Sequence, residues 1–264
     1  MREYDFILGM GGSCHCSQVL RAAGLQLLSL PFDWVGGPAM PVKARHMVDD
    51  FPGWFEPGTL TLVNSPCMTS LKTAWTDCYG YLPAHDFHRG VPMDDELPKV
   101  RAKYRRRIER MNRLIGASSR VLLVHVEMPG FPTVADGHPG EVRRILRTRW
   151  PGVRFVFLII RNCEDGVIAD EDRLDGIRIV RRNYMRTGDT APTADVDGLA
   201  TWLKGEYSVK DYRTPAERRD RRRKARLTKY AGFNATGFWD YLCARLQYKL
   251  YRHLHKRLVR KGVV

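Results

Sequence analysis

Tyr4-Asp5-Phe6-Ile7-Leu8-Gly9-Met10-Gly11-Gly12-Ser13-Cys14-His15-Cys16-Ser17 is the stretch that decides how this chain is read. Its apolar run stops at Gly9. The glycines at 9, 11 and 12 make a flexible turn, and Ser13 can cap a helix beginning after it. From Cys14 to Ala23 the pattern is helical, with Val19, Leu20 and Ala23 on one face, and Gly24 ends it. Strand, glycine turn and helix in that order open an α/β fold. In parallel sheets, ligands collect at the carboxyl ends of strands. A cysteine at a helix start meets unpaired N–H groups and the positive end of the helix dipole, which favour thiolate. The same N–H groups can hold a developing oxyanion. Cys14 is therefore a candidate nucleophile; the alternative is a small packed residue where helix meets sheet.

The elements further along agree with that opening. Val121-Leu122-Leu123-Val124-His125-Val126 is the strongest buried-strand candidate, with others at 155–160 and 177–180. Short strands are expected at 27–30 and 60–63. Tyr104, Ile108, Met111 and Ile115 recur at helical spacing, predicting a helix over 99–115; a second is expected over 141–150. The stretch 83–98 reads as loop. Helices alternating with continuous apolar strands predict a mainly parallel α/β sheet with helices on both faces.

Charge divides the chain. Its 264 residues carry 44 Lys+Arg and 29 Asp+Glu, a net charge of +15. Residues 204–264 hold 18 bases and 5 acids, leaving 26 and 24 for residues 1–203. The expectation is an α/β body over 1–203 and a basic helical tail over 204–264. The tail's apolar series Phe238, Leu242, Leu246, Leu250 and Leu254 describes a basic amphipathic helix. Residues 218–258 suit an anionic membrane surface, ahead of nucleic acid, since no nucleic-acid motif accompanies them. Twenty-seven aromatic residues exclude whole-chain disorder. No apolar run reaches the ~18 residues of a spanning helix. The N-terminus does not resemble a signal peptide, and the six cysteines have no framework spacing. Reduced thiols in the cytoplasm are expected, peripheral to the inner face of the membrane if the tail docks there.

Two other readings of the glycine–cysteine segment fail. Cys14 takes the place of the third glycine of a dinucleotide fingerprint. Cys14-x-Cys16 lacks the second ligand pair of a structural zinc site. No metal and no cofactor are expected.

At Gly11 to Cys14, Leu20-Arg21, Gly24-Leu25, Pro31-Phe32-Asp33-Trp34, His85-Asp86-Phe87, Tyr104 to Arg110 and Val121 to Val124, the sequence resembles a bacterial and viral family labelled papain-like cysteine peptidases. The resemblance spans roughly residues 4–165. It implies Cys14 as nucleophile and His85 as general base, which requires a third group to orient the imidazole. Asp86 adjoins His85 and points away from it in an extended loop, so Asp33 is the candidate orienter, with Asn162 the alternative. His88 is an alternative base. Gly11, Gly12, Ser13, Trp34, Asp86, His88 and Asn162 complete the candidate substrate-contacting set; His125 and Glu127, at the end of a central strand, could reach the same cleft. The chain departs from papain enzymes in having Leu8 where they carry an upstream glutamine, and in the 71-residue interval from Cys14 to His85. A hydrolase acting on peptide, ester or glycan is one reading. An acyltransferase or esterase of surface-polysaccharide synthesis is the second. A non-catalytic membrane- or nucleic-acid-associated protein is the third.

Overall fold

The computed structural model describes residues 1–63, 72–73, 75–83, 85–163, 168–173, 175–186 and 193–222. The chain divides into two compact units, Met1–Tyr212 and Arg213–Val264.

The first unit is built in the order β1 (Arg2–Tyr4), β2 (Phe6–Gly9), α1 (His15–Ala22), α2 (Met40–Val48), β3 (Thr61–Leu62), β4 (Lys72–Thr73), β5 (Trp75–Thr76), β6 (Phe87–His88), α3 (Met93–Gly116), β7 (Arg120–Val126), α4 (His138–Arg149), β8 (Arg154–Asn162), β9 (Ala169–Arg173), β10 (Ile177–Arg182), β11 (Met185–Arg186), β12 (Thr193–Ala194), α5 (Val196–Glu206) and β13 (Tyr207–Val209). The central sheet runs β2-β7-β8-β10-β9. Its first four strands are parallel, and β9 returns antiparallel along β10. The expected α/β class with a mostly parallel sheet is what the chain adopts.

The reason lies in the strands themselves. β7 is buried from Val121 to Val126 and β8 from Phe155 to Ile160, so neither has a solvent face. A strand apolar on both faces must be covered on both faces. Phe6, Leu8, Leu123, Phe157 and Ile159 pack with residues of α2, α3 and α4 in one core. Ile7, Leu122, Val124, Leu158 and Ile160 pack with residues of α1 and α5 in the other.

Several boundaries differ from the sequence reading. The stretch 27–30 is not a strand: it bends into a turn in which the Leu30 N–H donates to the Asp33 carboxylate at 2.9 Å. The stretch 83–98 is not all loop. It contains β6, and α3 begins at Met93, with Pro98 inside the helix. Asp94, Asp95 and Glu96 in its first turn favour that early start by facing the positive end of the dipole.

In the second unit, Thr214 and Glu217 form a reciprocal capping box. The Glu217 N–H donates to Thr214 Oγ1 at 3.1 Å, and the Thr214 N–H to Glu217 Oε2 at 2.8 Å. They open a helix over 215–222. The amphipathic series from Phe238 and most of the expected membrane-facing segment 218–258 lie outside the described residues. Among the described residues, no helix is long and apolar enough to cross a membrane.

Candidate active site around Cys14

β2 delivers the chain to the carboxyl edge of the sheet, where Gly9 pairs with Val124 and the Met10 N–H donates to the Val124 carbonyl at 2.7 Å. The turn then crosses tightly over α1. A Cβ on Gly11 would stand 2.6 Å from Cys16 Cβ, and one on Gly12 would stand 2.7 Å from Phe131 Cβ. Both glycines are required for space.

Cys14 is the N-cap residue of α1 and is half-buried. Cys16, two residues on, faces the other way. It is 2 % exposed, its thiol donates to the Val124 carbonyl at 3.4 Å, and burial pushes it up to about 11. The two thiols therefore differ in kind: Cys16 is a packing residue and Cys14 stands at the helix mouth. One turn along α1, the Gln18 amide reaches Cys14 Sγ at 3.8 Å. His15 flanks the thiol with its Nδ1 3.3 Å from Ser13 Oγ, and burial holds its pKa below the usual histidine value.

Beneath the turn lies Lys43, 1 % exposed, on α2. Its ammonium donates to the Gly11 carbonyl at 2.6 Å and to the Met10 carbonyl at 3.4 Å, and burial pushes it down to about 8. His125, on β7, places Nδ1 3.2 Å from the same Met10 carbonyl. A planar peptide sets each carbonyl opposite the next residue's N–H. With the Gly11 carbonyl drawn to Lys43, the Gly12 N–H is directed away from it. Among the described residues, neither the Gly12 nor the Ser13 N–H donates a hydrogen bond, although both residues are buried. Buried amides without acceptors are rare. The Gly12 and Ser13 N–H groups stand immediately before Cys14.

Pro31-Phe32-Asp33-Trp34 forms the neighbouring wall. Phe32 stacks on Tyr81 in the core, 6.2 Å between centroids. Asp33 is fully buried, and its carboxylate accepts from Ser17 Oγ at 2.9 Å, Arg21 at 3.0 Å, the Leu30 N–H at 2.9 Å and the Gln26 amide. Asp33 thus clamps the loop to α1. Trp34 has φ 64°, an uncommon left-handed conformation for tryptophan, with a cost on the order of 1 kcal/mol. That turn takes the indole out of the core and onto the Arg21 guanidinium, 5.7 Å from the ring. The His85 ring meets Trp34 edge-on at 5.9 Å. Cys14, Gln18 and Arg21, at i, i+4 and i+7, share one face of α1. Arg21 and Trp34 carry the same wall to His85.

The remaining candidates are held by partners of their own. Asp86 binds Lys103 and accepts from the Tyr104 hydroxyl at 2.5 Å, so His85 and Asp86 diverge. His88 pairs with Glu96 at 2.5 Å. Asn162 Oδ1 accepts from the Tyr184 and Met185 N–H groups at 3.3 and 3.1 Å, a brace between β8 and the chain entering β11. Glu127 lies 3.5 Å from Arg161. Two site neighbours, Gln18 and Lys43, escape the sequence reading. Gln18 carries a readable signal, one helical turn from the thiol. Lys43 carries none, because a buried lysine in a weakly patterned segment looks like a surface residue. Among the described residues, no three His, Cys, Asp or Glu side chains converge as metal ligands would.

Residues 5–130 match the family model described as "putative papain-like cysteine peptidase". That segment holds the glycine turn, Cys14, the Asp33–Trp34 loop and His85, so the family resemblance read from the sequence is shown over it. No curated protein and no solved structure matches the chain.

Proposed function

We propose that the family segment is a thiol-dependent hydrolase in which Cys14 is the nucleophile and His85 the general base. One observation carries the reading. A half-buried cysteine occupies the N-cap position of a helix at the carboxyl end of β2, directly after two buried residues whose N–H groups have no acceptor among the described residues. Such amides stabilise the oxyanion in acyl transfer. His85 takes the thiol proton, and Sγ attacks the substrate carbonyl. The carbonyl electron pair moves to oxygen, held by the Gly12 and Ser13 N–H groups, with the Gln18 amide beside Sγ. Collapse breaks the bond to the leaving group, which takes the proton from imidazolium. Water then cleaves the thioester, with His85 as base. Trp34 packs against the imidazole, and Asp33 acts through the loop it clamps.

The nucleophile comes after the first strand of a parallel sheet, a layout that also favours the acyltransferase or esterase reading. The two share the thioester and differ only in the acceptor. Incubation with an activated p-nitrophenyl ester is expected to leave a single acyl group on the Cys14 peptide, located by mass spectrometry. Cys14→Ala is expected to abolish the adduct, and His85→Ala to slow its formation about 10²–10⁴-fold, the usual contribution of a general base. Acylation spread equally over Cys14 and the exposed Cys78 would contradict the proposal. Hydroxylamine and alcohol acceptors would then separate hydrolysis from transfer.

A further inference from the structure

The opposite edge of the sheet carries a different chemistry. β7 and β8 begin with Arg120 and Arg154, which are register partners on neighbouring parallel strands. Both side chains leave the sheet on the face whose later positions are Leu122, Val124, Val156 and Leu158. Like charges directly opposite each other in a sheet are destabilising. One strand further on, the same sheet avoids the problem: Arg178 of β10 stands opposite Asp172 of β9 and also binds Asp170 at 2.7 Å and Glu206 at 3.0 Å. Arg2 is neutralised by the same Asp172 at 2.7 Å.

Arg120 and Arg154 have no such acid. The Arg120 guanidinium lies over the Tyr4 ring at 4.4 Å, and its Nε is buried without an acceptor. The Arg154 guanidinium makes no hydrogen bond or ion pair among the described residues. The nearby carboxylates are engaged by other cations: Asp5 by Lys210 at 2.6 Å and by the N–H groups of Ser119 and Arg120, and Asp172, which lines the same cleft, by Arg2 at 2.7 Å and Arg178 at 3.4 Å. Arg120, Arg154, Tyr4 and Tyr207 line one cleft of about 320 Å³. β7 spans seven residues, so this cleft lies about 20 Å from the Cys14 edge.

We propose that this cleft binds a phosphate dianion, inorganic or as a phosphomonoester, held between the Arg120 and Arg154 guanidiniums. Paired planar guanidiniums match phosphate oxygens in geometry and charge. The bound anion would supply the negative charge that the strand register lacks. The site is independent of the Cys14 chemistry.

The test uses the full chain at pH 8, with inorganic phosphate or glycerol 3-phosphate titrated at ionic strength held constant by sodium chloride. Calorimetry is expected to show saturable binding of one anion, with a matching rise in Tm. Arg154→Ala is expected to weaken that binding at least tenfold, whereas Arg106→Ala, an exposed arginine on α3, leaves it unchanged. Arg154→Glu supplies the missing acid opposite Arg120. It is expected to raise Tm above that of Arg154→Ala in phosphate-free buffer and to abolish the phosphate response. The preferred probe, phosphate or its monoester, identifies the ligand's source. Binding unchanged in Arg154→Ala, which would place it on other basic segments, overturns the proposal. So does the absence of saturable binding to either probe, or an Arg154→Glu protein less stable than Arg154→Ala without phosphate.

Discussion

Asp33→Ala is expected to destabilise the protein by about 3–5 kcal/mol, the range for removing one partner of a buried charged pair. The Asp33 carboxylate is fully buried and collects four donors from three pieces of chain: Ser17 and Arg21 on α1, Gln26 just after it, and the Leu30 backbone. Gln26 is 4 % exposed and Ser17 2 %, so neither reaches water when the acceptor is lost. Each buried donor left unsatisfied costs about 1–3 kcal/mol, and the costs do not simply add. Asp33→Asn keeps the shape but aims an amide N–H₂ at donors, so little rescue is expected. Urea unfolding of the three proteins reads the effect. A midpoint and slope giving Asp33→Ala within about 1 kcal/mol of the parent would contradict the clamp.

The second large effect is a pH dependence from His125. Burial, and then the Lys43 ammonium, push its imidazole down to about 4. Unfolded, it titrates near 6.5. Between those values the unfolded chain takes a proton that the folded chain does not. Stability therefore falls as pH drops through that interval. At about 1.4 kcal/mol per pH unit the loss is on the order of 3 kcal/mol. Asp77, raised to about 6 by burial, works in the opposite sense, gaining stability as pH falls. A comparison with His125→Leu removes the Asp77 contribution, since both proteins share it. The variant also removes the Nε2 that has no partner and gives up the contact to the Met10 carbonyl. Relative to the parent, His125→Leu is expected to gain stability steadily from pH 6.5 down to pH 4. Parallel curves for the two proteins would contradict the assignment.

How much of this fold is legible in the sequence depends on what each residue type advertises. The strands β7 and β8 are legible because a run such as Val121 to Val126 has no solvent face to offer. The glycine turn and Cys14 are legible because three glycines in four positions end a strand and open a helix. α2 is not: its Met40–Val48 sequence buries Lys43 and His46, residues that normally mark a solvent face, alongside Met40, Ala44 and Met47, so no polar face stands out. β9 escapes because Ala169–Arg173 is an almost wholly charged edge strand held by pairing with β10. The role of Asp33 is half-legible. Its turn is visible in Pro-Phe-Asp-Trp, but the four donors come from segments that only the folded chain brings together. His85 and Asp86 lie in a turn, with the Asp86 N–H donating to the Pro83 carbonyl at 3.2 Å, and not in the extended loop that the sequence suggests. The contact between the His85 and Trp34 rings is not legible in the sequence.

The most direct test of the central claim is the rate of iodoacetamide alkylation at each cysteine against pH, site by site by mass spectrometry. The protein carries its own scale in the exposed Cys78 and the buried Cys16. The account predicts that Cys14 alkylates with an apparent pKa well below the ~8.5 of an ordinary thiol, that His85→Ala abolishes this depression, and that Cys16 stays silent in the folded state. A Cys14 that reacts no faster than Cys16 until the chain unfolds would show a packing thiol and contradict the account.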